Sequence, residues 1–130
     1  HTADLTEKLK QELGESYHVE YAMRYKNPSL KKILQSWEGK NFEQIIILPL
    51  FPHYASATNG SVIEEAMNVI KKWWVIPEIS FVSQFYDQEF YLKGFEEQGR
   101  KHNFKEYDHV LFSFHGLPER HVDFRFFFPP

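Results

Sequence analysis

The sequence predicts an α/β fold, a three-layer αβα arrangement with a parallel sheet of about four strands. Apolar residues at helical spacing alternate with short apolar runs along the chain. The connections between these runs are long enough to hold a helix, as right-handed crossovers between parallel strands require. The run at residues 45–51, IIILPLF, is apolar throughout, which is typical of a strand covered on both faces.

The predicted elements alternate from one end of the chain to the other. A helix over residues 3–13 places Leu5, Leu9 and Leu13 on one face, and Gly14 ends it. In the second helix we expect Asn27 as the N-cap and Pro28 at the first helical position. The remaining predicted helices cover residues 62–73 and 87–98, and the strands cover residues 17–25, 45–51, 79–82 and 110–114.

Composition excludes several classes of function. The 130 residues suffice for one domain with a core, and the net charge of −3 without a basic block gives no support for phosphate-backbone binding. The absence of cysteine excludes disulfides, thiolate zinc sites and cysteine nucleophiles. No apolar run long enough to span a membrane, signal peptide or amphipathic anchor is visible, so we expect a cytoplasmic protein.

Candidate site residues follow three of the predicted strands. Ligands of parallel sheets bind outside the carboxyl ends of the strands. His115 follows the last strand directly, and Gly116 and Pro118 fix the turn behind it. A neutral imidazole at this position could accept a proton or bind a transition metal. The alternative is a histidine that only hydrogen-bonds the backbone at a strand end.

Two further strand ends carry polar side chains. His53 follows the 45–51 run, and hydroxyl and amide groups come after it, at Ser56, Thr58, Asn59 and Ser61. Helix capping is the structural alternative for these four, and it is favoured for Asn59 and Ser61. Arg24 could bind a carboxylate in bidentate fashion, or it could pair with an acid on the surface.

Three segments together resemble one family. They are MRYKNPSL at 23–30, ILPLFPHYASATNGS at 47–61 and LFSFHGLPERHV at 111–122, and their order and separation are similar to those of ferrochelatases. The resemblance covers nearly everything between residues 3 and 122. It implies a two-domain fold of two similar α/β halves with a porphyrin cleft between them, of which this chain resembles most of the N-terminal half.

The resemblance also implies an activity and its residues. Ferrochelatases insert ferrous iron into protoporphyrin IX to form protohaem, so no permanently bound cofactor is expected and Fe²⁺ is a substrate. His115 stands at the position of the active-site histidine, as a proton acceptor or as a metal ligand. The remaining predicted residues correspond to the porphyrin pocket wall; they are Arg24, Tyr25, His53, Tyr54, Ser56 and Thr58.

Parts of the family pattern are not seen. We expect residues 1–122 to form a partial chelatase-like domain and residues 123–130 an atypical tail of aromatic residues and proline. An opening strand, a glycine-containing loop and the second half, with an acid that faces the histidine, are expected to be missing. The isolated chain is therefore expected to have little or no chelatase activity.

Two alternatives stay open. The chain could be a non-catalytic α/β module that binds a tetrapyrrole, or a related chelatase that uses coproporphyrin or another metal. The segment FSFHGLPER favours a protoporphyrin-using enzyme. A peripheral membrane contact would fit the poor solubility of porphyrins.

Overall fold

The computed structural model describes residues 1–113 and 116, and it confirms the α/β class. The helices and strands of the described residues are α1 (Thr2–Leu13), α2 (Leu30–Trp37), β1 (Gln44–Ile47), α3 (Ser61–Ile70), β2 (Glu78–Phe81) and α4 (Glu89–Gly99). A π-helical turn covers Ser56–Gly60, and a 3-10 turn covers Phe104–Glu106. Within these residues, no helix is long and apolar enough to cross a membrane.

Strands β1 and β2 form a parallel pair. The Glu78 N–H donates to the Glu43 carbonyl at 3.2 Å, and the Val82 N–H donates to the Ile47 carbonyl at 3.0 Å. Both partners advance four residues between the two bonds, so the strands run in the same direction. Both strands therefore end at the same edge of the sheet, as predicted.

The prediction of about four strands is wrong for the described residues, which contain two. Within residues 17–25, Met23 alone has the backbone pairing of a strand residue. Its N–H donates to the Pro28 carbonyl at 2.7 Å, and its carbonyl accepts from the Leu30 N–H at 3.1 Å. A strand forms only when an adjacent strand hydrogen-bonds its backbone groups, and an alternating apolar pattern does not show whether such a partner exists. Residues 110–113 are not a strand either, and Phe114 lies outside the described residues.

The second helix begins later than predicted. Ser29 is its N-cap, with extended backbone angles, and the Ser29 hydroxyl accepts a hydrogen bond from the Lys32 N–H at 3.3 Å. Asn27 and Pro28 lie before the cap, so the prediction that they start the helix is wrong. Serine takes this position because its short side chain reaches the free N–H groups of the first turn.

The chain divides into two compact units. Of the described residues, unit 1 contains 1–46 and 62–80, and unit 2 contains 47–61, 81–113 and 116. Unit 1 holds the aliphatic core. Its buried apolar side chains come from α2, β1, α3 and the turn after α3, and they are Leu30, Leu34, Ile45, Ala66, Val69, Ile70 and Trp73.

Helix α1 has its predicted apolar stripe only partly covered in unit 1. Leu5 is 49% exposed, and Leu9 and Leu13 are 39% and 38% exposed. The 3.6-residue period therefore predicts the helix correctly, but full burial of this face is not seen within the described residues.

A ring cluster packs against the end of α2. The His18 ring stacks on Phe42 with centroids 5.5 Å apart, and the Trp37 ring meets Phe42 edge-on at 5.3 Å. The Glu20 carboxylate accepts hydrogen bonds from His18 and from the Trp37 indole nitrogen, the latter at 3.3 Å. Partial burial raises the pKa of Glu20, but the bonds from His18 and Trp37 outweigh it, so the net pKa lies below the usual glutamate range.

We predict that Ile70→Ala destabilises the chain by about 2–5 kcal/mol, because it leaves a cavity in the core of unit 1. Ile70 is fully buried on α3, whereas Met67 on the same helix is 41% exposed. The matched control Met67→Ala should cost about 1 kcal/mol or less. Urea denaturation followed by circular dichroism measures both, and equal losses would contradict this core assignment.

We predict that the Glu20 contacts stabilise the fold at neutral pH and lose this effect in acid. A carboxyl group with a lowered folded-state pKa contributes stability above its unfolded pKa of about 4.3, and loses it as the pH falls through the lower folded value. Because the pair is partly exposed, Glu20→Gln should cost less than about 1 kcal/mol at neutral pH. Urea unfolding at stepwise lower pH should show the two proteins converging; a difference that is constant or grows in acid would refute this.

Candidate functional site

His53 lies at the exit of β1, in unit 2. The strand ends at Ile47, not at residue 51 as predicted, and residues 48–54 continue without strand pairing. Pro49 and Pro52 lack the N–H group that a ladder needs, which accounts for the early end. The side chain of His53 is exposed at this edge of the sheet.

Two contacts join the His53 segment to the segment that leaves β2. The Phe85 N–H donates to the Pro52 carbonyl at 2.9 Å. One residue further along each segment, the His53 and Tyr86 rings stack with centroids 4.9 Å apart and planes 9° apart. The exits of two parallel strands therefore run side by side and present one histidine against one tyrosine.

Asn59 forms a third connection, which we call the Asn59 bridge. Its side-chain amide donates to the Phe51 carbonyl at 3.2 Å and also to the Ser83 carbonyl. Asn59 is fully buried, and its Oδ1 has no hydrogen-bond donor among the described residues. The expectation that Asn59 caps the following helix is wrong, because the amide spans two strand exits instead.

The hydroxyl groups between His53 and α3 lie in and beside the π-helical turn. The Thr58 hydroxyl donates to the Ala55 carbonyl at 3.2 Å, so it already has a backbone partner. Ser56 and Tyr54 are exposed. Gly60 leaves room for Tyr54, since a Cβ at this position would approach the Tyr54 hydroxyl to 3.1 Å. Tyr54, Ser56 and Thr58 thus share one short segment with His53, and their role in binding stays a prediction.

Arg24 and Tyr25 belong to unit 1. They lie in the loop closed by the pairing of Met23 with Pro28 and Leu30. The Arg24 guanidinium lies 4.8 Å from the centre of the Tyr25 ring, a cation–π distance. Tyr25 is 78% exposed. Their role at a porphyrin pocket also stays a prediction.

His115 lies outside the described residues, so its predicted catalytic and metal-binding roles stay predictions. Among residues 1–113 and 116, no group of three or more histidine or acidic side chains is placed to hold a metal ion. A cavity of about 190 Å³ lies in unit 1, beside Trp37, Phe42 and Trp73. It contains none of the predicted site residues.

Two residues that shape this site are not predicted from the sequence. The sequence favours a helix cap for Asn59, and no pattern in the segment QFYDQEF indicates Tyr86. The predicted topology could have indicated Tyr86. The parallel strands predicted at 45–51 and 79–82 end at the same sheet edge, so the residues after the second strand are site candidates just as those after the first are.

We predict that Asn59→Ala destabilises the chain by about 1–3 kcal/mol, because two backbone carbonyls lose their donor. Asn59→Asp should cost more, since it places a carboxylate against the same carbonyl oxygens. The matched control is Asn68→Ala, because Asn68 is exposed and its side chain accepts a hydrogen bond from the Lys71 ammonium at 2.8 Å. This control should change the unfolding free energy by about 0.5 kcal/mol or less. Urea denaturation measures all three, and an unchanged Asn59→Ala would refute the bridge.

Comparisons with known proteins agree on one family. The family model "Ferrochelatase" matches residues 1–125. A ferrochelatase of Pseudomonas fluorescens biotype C is 38% identical over 122 residues, which cover 92% of this chain and 36% of the relative. A ferrochelatase of Francisella tularensis subsp. tularensis (strain WY96-3418) is 37% identical over 126 residues, covering 95% of this chain and 38% of the relative.

The chain thus spans a little over a third of the length of these relatives. The comparison with solved structures returned no match. A family match over nearly the whole chain, together with relatives that align over more than nine-tenths of it, confirms the resemblance carried by the three motif segments. The chain belongs to the ferrochelatase family.

Proposed function

We propose that the chain is part of a ferrochelatase, a metal chelatase of the lyase class that inserts ferrous iron into protoporphyrin IX to form protohaem. The supporting structural observation is His53, an exposed imidazole at the exit of a parallel strand, stacked on Tyr86. Exits of parallel strands are where ligands of α/β sheets bind. Ferrous iron enters this proposal as a substrate, not as a resident cofactor.

The chemistry calls for neutral imidazoles near the porphyrin. Metal insertion removes two pyrrole N–H protons and requires a metal ion that has shed most of its water. A neutral imidazole can take a proton near neutral pH, and it also binds ferrous iron. We propose His115 for one of these two tasks, as proton acceptor or metal ligand. His53 is proposed to line the same porphyrin pocket.

The pocket wall is proposed to contain groups of complementary kinds. Arg24 offers a guanidinium for a porphyrin propionate, which it could bind in bidentate fashion. Tyr25 and Tyr54 offer exposed rings for the flat macrocycle. Ser56 and Thr58 add hydroxyl groups beside His53.

The isolated chain is proposed to bind porphyrin weakly and to insert little or no metal. These residues correspond to about a third of the length of a related ferrochelatase. The second candidate function, a tetrapyrrole-binding module without catalysis, is favoured by the same observation. A related chelatase that uses coproporphyrin or another metal is the third.

We further propose a cytoplasmic location, with a peripheral membrane contact that would ease the transfer of a poorly soluble porphyrin. Immunoblotting of cytosolic and membrane fractions tests this, and a carbonate wash separates peripheral attachment from insertion.

We predict that protoporphyrin IX binds the chain and that His53→Ala weakens the affinity about fivefold to tenfold, because a pocket-wall contact of about 1 kcal/mol is lost. A titration that follows the Soret band and tryptophan quenching measures the dissociation constant. His109→Ala is the matched control, since His109 is exposed in unit 2 and lies outside the site motifs. Equal affinity of the His53 variant and the unmodified chain would contradict the assignment of His53.

Addition of ferrous or zinc ion to the same samples then tests His115. Any insertion should fall about 100-fold or more in His115→Ala, which is the usual contribution of a proton-transfer residue. Binding without insertion in the unmodified chain and in His115→Ala is the result expected if these residues supply a pocket wall but not the whole site for metal insertion. Insertion that survives His115→Ala would overturn the proposed role of His115, and absence of porphyrin binding would overturn the proposed function of the isolated chain.

A further inference from the structure

We propose that Tyr86 is a positioning residue that holds the His53 imidazole in one orientation at the exit of β1. The proposal rests on the proposed function, because it concerns a histidine of the proposed porphyrin pocket. It adds a residue from the exit of β2, a segment that none of the three family motifs contains.

The geometry of the ring pair carries the proposal. The two rings are nearly parallel, 9° apart, with centroids separated by 4.9 Å. A stacked contact of this kind covers one face of the imidazole and limits rotation of the His53 side chain. Both ring nitrogens lie in the plane of the ring, so the contact leaves them available to a ligand.

No hydrogen bond fixes the imidazole among the described residues. A functional histidine is commonly oriented by a hydrogen bond to its second ring nitrogen, from a carboxylate or a backbone carbonyl. Within residues 1–113 and 116, neither nitrogen of His53 has such a partner. The face of Tyr86 is therefore the contact that replaces the usual hydrogen bond.

Tyr86 can serve this purpose because its own position is fixed. The preceding residue, Phe85, donates its N–H to the Pro52 carbonyl, and Pro52 directly precedes His53. The Phe85 ring also meets the Tyr91 ring on α4 edge-on at 5.4 Å. The stacked rings thus follow immediately after a hydrogen-bonded pair of backbone groups, which sets their distance.

The first test is made on the unmodified chain by NMR. Contacts between the ring protons of His53 and Tyr86 should appear in nuclear Overhauser spectra. The His53 ring protons should resonate upfield of those of His109, since they lie over an aromatic face. His53→Ala identifies the signals. Absence of both effects would overturn the proposal without the need for a Tyr86 variant.

The second test compares Tyr86→Phe with Tyr86→Ala. Phenylalanine keeps the stacked face and removes only the hydroxyl, so the His53 signals and the porphyrin affinity should stay close to those of the unmodified chain. Alanine removes the face, so the His53 signals should move downfield and the affinity should fall about two- to tenfold. The control is Phe90→Ala, because Phe90 is a 68% exposed aromatic residue in the same unit without a ring contact to His53.

The outcomes separate this proposal from the proposed function. Failure of the unmodified chain to bind protoporphyrin IX would overturn the binding function, while the His53 spectra would still decide whether Tyr86 orients the ring. Loss of affinity in Tyr86→Phe as large as in Tyr86→Ala would mean that the hydroxyl acts directly, and it would overturn the positioning role. Unchanged His53 signals in Tyr86→Ala would overturn it as well.

Discussion

The geometry of the candidate site depends on the Asn59 bridge. Two parallel strands end at the same sheet edge, and beyond their last ladder bond at Val82 nothing in the strands themselves keeps the exits together. The Asn59 side-chain nitrogen donates to both the Phe51 carbonyl and the Ser83 carbonyl. A single buried side chain therefore continues the pairing past the end of the sheet. The Phe85–Pro52 bond and the stacked rings of His53 and Tyr86 follow from that alignment.

The two units are stabilised by different kinds of interaction. Unit 1 buries a set of aliphatic side chains from α2, β1 and α3, which is the non-directional stabilisation usual for a protein core. In the described part of unit 2 the fully buried residues are Pro49, Ala55 and Asn59. The conformation of this part of unit 2 therefore depends on directional contacts, namely hydrogen bonds and ring stacking. Such contacts fix orientation more strictly than apolar burial does, and in this unit they include the stacked rings of His53 and Tyr86.

The sequence predicted the elements that depend on local pattern. The helices α1, α3 and α4 and the strands β1 and β2 all appear, because apolar periodicity and apolar runs are local signals. The strand expected at residues 17–25 does not appear, because a strand also depends on a partner that the pattern cannot show. The helix cap was misplaced for a related reason: Asn27 and Ser29 are both good caps, and backbone geometry decides between them.

The site, like the fold, is predictable from the sequence only where it depends on local signals and not on partners that are remote in the chain. His53 could be placed after a strand from the sequence alone, and the three motif segments led to the correct family. Asn59 could not be assigned, because capping is a local role for asparagine and its two carbonyl partners are 8 and 24 residues away. Tyr86 was missed because its partner His53 is remote in sequence. The three motif segments contain His53 and Asn59, whereas the contacts of these residues with Tyr86 and Ser83 are visible only in the fold. These contacts lie at the exits of β1 and β2, so the parallel pairing of the two strands brings the residues together.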